Sequence, residues 1–139
     1  MSKRLLFWPR ALDALVRERM NQPFAWGTND CALFAADCVL EVTGVDPAAD
    51  VRGTYDSAAS AARMLEKAGG VFGLAQARLG PRIAATLAQV GDVAMVQQDG
   101  RDVLAVCMGE HALAPGAGGL VWLPMSAAQC AWRCTVGEG

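Results

Sequence analysis

Apolar positions recur at helical spacing through the first half of the chain, and the period changes at Val90 to short blocks typical of strands. Pro9 suits the first turn of a helix, where its missing N–H costs nothing. Leu12, Leu15, Val16 and Met20 follow at helical spacing, and Asn21-Gln22-Pro23 stops the run. A second helix is predicted over about 30–43, with Asn29 or Asp30 as N-cap and Gly44 just past its end. Its polar residues Asp30, Asp37 and Glu41 share one narrow stripe, and nearly every other position is apolar or small. A helix apolar around most of its girth packs on several sides, so this one is expected at the centre of the fold.

A third helix is expected over about 57–68, ended by Gly69-Gly70. The stretch 71–89 carries a weaker pattern, read as one short helix before Gly80-Pro81 and another after it. Beyond it, 92–97 reads as a strand, and Asp99-Gly100 is a strong two-residue hairpin signal. The partner strand, 103–108, is almost continuously apolar and so is expected inside the sheet. A second hairpin follows, with strands over 111–114 and 120–124 around a turn at 115–119. A short turn or helix at 126–129 then leads to a closing strand over 131–136. Helices before an antiparallel sheet make an α+β domain, and 139 residues suit a single one spanning 1–139.

Composition removes several function classes. Hydrophobic residues make up 53% of the chain and charged residues 19%, a globular balance. The net charge is −2 with no Lys/Arg run, which excludes the dense basic footprint of a nucleic-acid binder. No apolar run approaches the roughly 20 residues of a membrane helix, so no membrane insertion is expected. Lys3-Arg4 precede only four apolar residues before Pro9-Arg10, short of the roughly 7–15 of a signal peptide, so none is expected. Synthesis in a reducing compartment follows, and an odd set of five cysteines argues against a full disulfide framework.

The densest chemistry lies at Phe24-Ala25-Trp26-Gly27-Thr28-Asn29-Asp30-Cys31-Ala32-Leu33-Phe34. In the first turn of a buried helix, unpaired N–H groups and the helix dipole stabilise a thiolate, the form of cysteine that attacks carbonyl carbon. The other reading of Cys31 is a buried apolar thiol, and Cys38, seven residues on in mid-helix, is read as core. Asn29 and Asp30 are simpler as capping residues than as catalysts, and Trp26 as packing beside the cysteine helix.

Trp26-Gly27 followed by Asp30-Cys31 and an apolar helix resembles the W-G-x-x-D-C signature that opens the NlpC/P60 cysteine-peptidase core. Gln89-Val90-Gly91-Asp92-Val93-Ala94 resembles that family's P-G-D-hydrophobic strand start, and 103–109 its next strand, usually H-V-G-I-Y-I-G. More narrowly, the chain resembles small phage and prophage tail proteins related to NlpC/P60. Those carry P-F-x-W-G-x-x-D-C-A-x-F early and L-x-x-L-P-L-S-A-x-x-A-W-R late, matched here by residues 23–34 and 120–133. The resemblance implies a papain-type α+β fold in which N-terminal helices, the central one bearing Cys31, pack on a C-terminal antiparallel sheet.

One departure bears on activity. The family takes its general base from a histidine at the start of the strand after G-D. Aligning Gly109 with the last glycine of that strand puts Val103 in the histidine's place, and a one-residue slip offers Asp102 or Leu104. None is an imidazole. The chain's single histidine, His111, falls on the next strand or turn, from which the family often draws the group that orients the base. Cys31 and His111 are therefore the candidate catalytic residues.

Cys107 and His111 are four apart, as are Cys130 and Cys134, but the strand pairing expected for Cys107 separates it from His111, so no metal and no cofactor is expected. Three functions follow. The first is a structural phage tail-tip protein with a degenerate site, made in the host cytoplasm and carried in the virion, contacting hub or fibre-type tail subunits. The second is a cysteine peptidase cleaving peptidoglycan peptides during infection. The third is an intracellular binding module of the same fold. Trp122 and Trp132 serve either an interface or the core.

Overall fold

The computed structural model describes residues 3–135. Four helices, α1 (Trp8–Arg19), α2 (Cys31–Thr43), α3 (Ala58–Ala68) and α4 (Gly70–Leu79), precede five strands. The strands are β1 (Val93–Gln98), β2 (Arg101–Cys107), β3 (His111–Gly116), β4 (Gly119–Pro124) and β5 (Ala128–Trp132). They form one antiparallel sheet in the order β4-β3-β2-β1-β5. The expected α+β architecture is present, with β2 internal as its apolar run requires.

The sheet has two unlike faces because side chains alternate along a strand. Val93, Met95, Leu104, Val106, Leu113, Cys130 and Trp132 face the helices and join Leu12, Val16, Phe34, Cys38 and Val42 in the main core. The opposite face carries small residues, Ala94, Ala105, Ala112, Ala114 and Ala131, with Val96 and Leu123. A short segment at Ile83 pairs with Ala131 along the outer edge of β5, and the Ile83 side chain joins this face. No helix among the described residues is long and apolar enough to cross a membrane.

Helix α2 is central, as its girth predicts: it packs on α1, β2 and β3. Its C-terminus closes at Gly44, whose φ of 82° is the left-handed conformation a side chain disfavours. Three elements differ from the pattern reading. Pro115, expected in a turn, is buried inside β3 opposite Leu120, so only Ala117 and Gly118 form the turn. Proline is tolerated there because its pairing with Leu120 needs no donor from it. The last strand runs earlier than expected, over Ala128–Trp132; Val136 lies outside the described residues. Trp132 is fully buried against Phe72, so of the two late tryptophans only Trp122 reaches the surface.

The Gly91-Asp92 pair that starts β1 is a structural knot. Asp92 is fully buried, and its carboxylate accepts from Arg4 Nη2 at 2.7 Å, Cys134 N–H at 3.0 Å and Gln89 N–H at 2.9 Å. Arg4 also donates to the carbonyls of Val90 and Cys134 and lies over the Trp8 ring. Arg4 and Cys134, near the two ends of the described residues, are thereby pinned to the start of β1. A buried charge is tolerated only with such pairing.

Candidate functional site

Cys31 is the first residue of α2, and the loop before it is shaped by Asp30. The Asp30 backbone is extended, as an N-cap requires, and its Oδ1 accepts from Leu33 N–H at 2.9 Å. Its Oδ2 accepts from Gly27 N–H at 3.0 Å and from the Tyr55 hydroxyl at 2.6 Å. The carboxylate is buried and already has three donors, which makes it a brace rather than a proton carrier. Asn29 braces the other side of the loop, donating to the carbonyls of Gln22 and Pro23. Gly27 has φ of 79°, and a Cβ there would sit 2.2 Å from the Tyr55 carbonyl oxygen, so the motif's glycine is a steric requirement. Tyr55 carries no signal of this role in the sequence, being 25 residues from its partner.

Of the five cysteines, all free, Cys31 alone is partly exposed; the other four are buried. Its thiol borders a small apolar recess formed with Trp26, Tyr55, Met64, Leu74 and Leu104, about 30 Å³ in volume. That is a small fraction of the roughly 300–1,000 Å³ of an ordinary ligand pocket. Trp26 meets Phe24 edge to face and is itself half exposed at the rim.

Burial pushes the Cys31 thiol above its ordinary value, and the neighbouring Asp30 carboxylate pushes the same way. The amides of Leu104, Ala32 and Cys31 itself pull it down, as a helix N-terminus should, but do not prevail. No cation is among the influences on this thiol. The helix terminus alone therefore does not make Cys31 a thiolate at neutral pH.

The strand across from Cys31 corrects the sequence register. Val103 pairs with Val96 and belongs to the small-residue face, away from α2. Leu104, paired with Met95, lines the Cys31 recess, and its amide influences the thiol. The position facing the cysteine is thus Leu104, one residue beyond Val103, because alternation along β2 leaves only one of the two on the helix side. Leucine offers no proton acceptor.

His111 does not reach the site. It starts β3 opposite Pro124, is exposed, and its ring meets Trp122 edge to face at 6.1 Å. Cys107 pairs with Ala112, so His111 lies beyond Cys107, level with Met108, whose N–H donates to its carbonyl at 2.7 Å. Leu104 is four residues back along β2, about 13 Å at the rise of a strand. That end of β2 meets Gly91, beside the Arg4 clamp, and Leu5 N–H there donates to Val42 O at the C-terminal end of α2. Cys31 and His111 therefore sit at opposite ends of the central helix. Continuing the β2–β3 register brings buried Pro115 level with Leu104, so β3 supplies no polar group at the recess either. Cys107 and His111 are likewise separated, one buried and one exposed.

The arrangement sets a thiol at a helix N-terminus, and among the described residues Leu104, not an imidazole, faces it. In overall structure the chain is similar to the NlpC/P60 domain of the peptidoglycan hydrolase SagA, with a TM-score of 0.56 and 20% identity, covering 89% of this chain and 97% of that one. A likeness at that identity establishes a shared NlpC/P60-like fold. No curated protein sequence matches the chain. Residues 3–134 match the family model described as a domain of unknown function, DUF6950, and the chain belongs to that family.

Proposed function

We propose that this protein is a structural component of a phage tail, at or near the tip, whose NlpC/P60-like fold retains Cys31 but not a working hydrolase site. The observation that carries the loss of activity is Leu104 facing Cys31 where a base is required, with the single histidine at the far end of the helix. General-base catalysis needs an acceptor within hydrogen-bond reach of the nucleophile or one water away. The tail role is supported by the two sequence segments, 23–34 and 120–133, that resemble small tail proteins. An exposed apolar group at the N-terminal end, Leu5, Leu6 and Phe7 with Val45 and Val90, fits a protein that works through its surfaces. Its partners are then tail-tip subunits of hub or fibre type, and its location is the virion.

Peptidoglycan peptide cleavage is the second reading. In its favour, Cys31 is partly exposed at a helix N-terminus whose amides suit an oxyanion. Against it stand the raised thiol pKa and a recess of only about 30 Å³.

The pH dependence of Cys31 alkylation separates these readings, with Cys31→Ser as the blank. Slow labelling that rises only above the roughly 8.5 of a free thiol, unchanged in His111→Ala, is expected. Rapid labelling near neutral pH that His111→Ala abolishes refutes the loss of activity. The tail assignment is tested separately: the protein should co-sediment with purified tails, and its absence from them overturns that assignment.

A further inference from the structure

A wide groove opens where α3 meets the start of the 51–54 turn and α4, next to the Cys31 recess, with which it shares Met64 and Leu74. It has a volume of about 490 Å³. Its apolar lining comes from Val51, Met64 and Leu74, and three cations line it: Arg63 and Lys67 of α3 and Arg78 of α4. Among the described residues no carboxylate lines it, in a chain whose net charge is −2.

The two cations of α3 are not there to hold the fold. Arg63 and Lys67 stand four apart on one helix face, a like-charge spacing that weakens a helix rather than supporting it. Both are exposed, and neither has an ion-pair or hydrogen-bond partner among the described residues. Arg78 is different. It is paired with exposed Asp50, through Nη1 at 2.5 Å and Nη2 at 3.2 Å, and donates to the Pro47 carbonyl at 3.0 Å. Its Nε is buried and has no acceptor among the described residues.

We propose that this groove is the docking site for an acidic segment of a partner protein, an apolar side chain seated on Met64 and Leu74 and flanking carboxylates set against Arg63, Lys67 and Arg78. Charge complementarity selects the partner's sign, and the apolar floor selects a peptide over a bare anion. A phosphate site draws on open backbone amides at a helix N-terminus. Here the neighbouring terminus of α3 is closed by its own capping box: Ser57 Oγ accepts from Ser60 N–H and Ser60 Oγ from Ser57 N–H. This site does not rest on the tail assignment; it shares Met64 and Leu74 with the Cys31 recess.

The test uses the full chain and a fluorescein-labelled peptide carrying a central leucine flanked by aspartates and glutamates, followed by anisotropy. Saturable binding that weakens with salt is expected. Arg63→Glu/Lys67→Glu should weaken it by roughly tenfold or more, Arg63→Gln/Lys67→Gln by less, and Arg101→Glu on β2 should leave it unchanged. Matching thermal melts establish that the exposed substitutions leave the fold intact. Failure of the peptide to saturate overturns the proposal. So does equal binding of its Asn/Gln analogue, or equal loss in Arg101→Glu. Displacement by inorganic phosphate as effectively as by unlabelled peptide assigns the groove to simple anions and overturns the peptide reading.

Discussion

Replacing Asp30 with alanine removes one carboxylate that closes three structures at once. The Leu33 N–H at the start of α2 loses its cap, which costs about 1 kcal/mol. The Tyr55 hydroxyl and the Gly27 N–H lose their acceptor, and a buried donor left unpaired costs about 1–3 kcal/mol each. Gly27 is only half buried, so water recovers part of its share. The sum is a loss of roughly 3–5 kcal/mol. That is a large fraction of the about 5–15 kcal/mol of an ordinary domain. Urea unfolding followed by tryptophan fluorescence measures it, with buried Trp132 as the reporter. Tyr55→Phe alone should cost about 1.5–3 kcal/mol, since its partner is charged, and far less once Asp30 is alanine. Removing the carboxylate also lowers the Cys31 pKa, because Asp30 is one of the influences that raise it. A loss under about 1 kcal/mol, or additive effects of the two substitutions, would refute the reading of Asp30 as a buried brace.

Leu104→His should speed Cys31 alkylation near neutral pH, whereas Val103→His, on the opposite face, should leave it slow; the reverse order would restore the Val103 register. Gly27→Ala should destabilise by more than about 3 kcal/mol, read from the same urea curves, because neither its positive φ nor the nearby Tyr55 carbonyl accommodates a Cβ. Stability should fall at alkaline pH. Burial raises the Cys31, Cys38 and Cys134 thiols, Cys134 to about 12, so the folded state keeps protons that the unfolded chain releases above about 8.5. Their stabilisation is complete below that value and is lost as pH rises toward the folded pKa, about 1.5–2 kcal/mol for Cys134 by about pH 10. Unfolding free energies from about pH 8 to about pH 10, with Cys134→Ala showing a shallower fall, measure this; a flat profile contradicts it.

Local pattern was sufficient for what depends on neighbours in the chain. The apolar girth of α2, its Asp30 cap, the Asp99-Gly100 hairpin and the internal position of β2 all follow from spacing and residue type. Those features place Cys31 at the start of a central helix, and the residues around it supply the NlpC/P60 resemblance that the fold shares. Pro115 was misplaced because a proline among glycines reads as a turn, while its missing N–H is no loss where the pairing does not need it. The last strand was set late for want of a local marker separating the single-turn helix at 125–127 from Ala128.

What the sequence left open are relations between distant segments. Whether Val103 or Leu104 faces Cys31 turns on a single residue of register, and one residue reverses every side chain of a strand. Tyr55 meets Asp30, Arg4 meets Asp92, and Arg78 shares a groove with the α3 cations across stretches of chain that no spacing rule connects. The distance of His111 from the cysteine is set the same way, by the direction in which β2 runs beneath α2. Sequence determines which groups a chain carries and where each element begins. Which of those groups meet is decided by how the elements pack, since burial and proximity belong to the assembled core and not to any one segment of it.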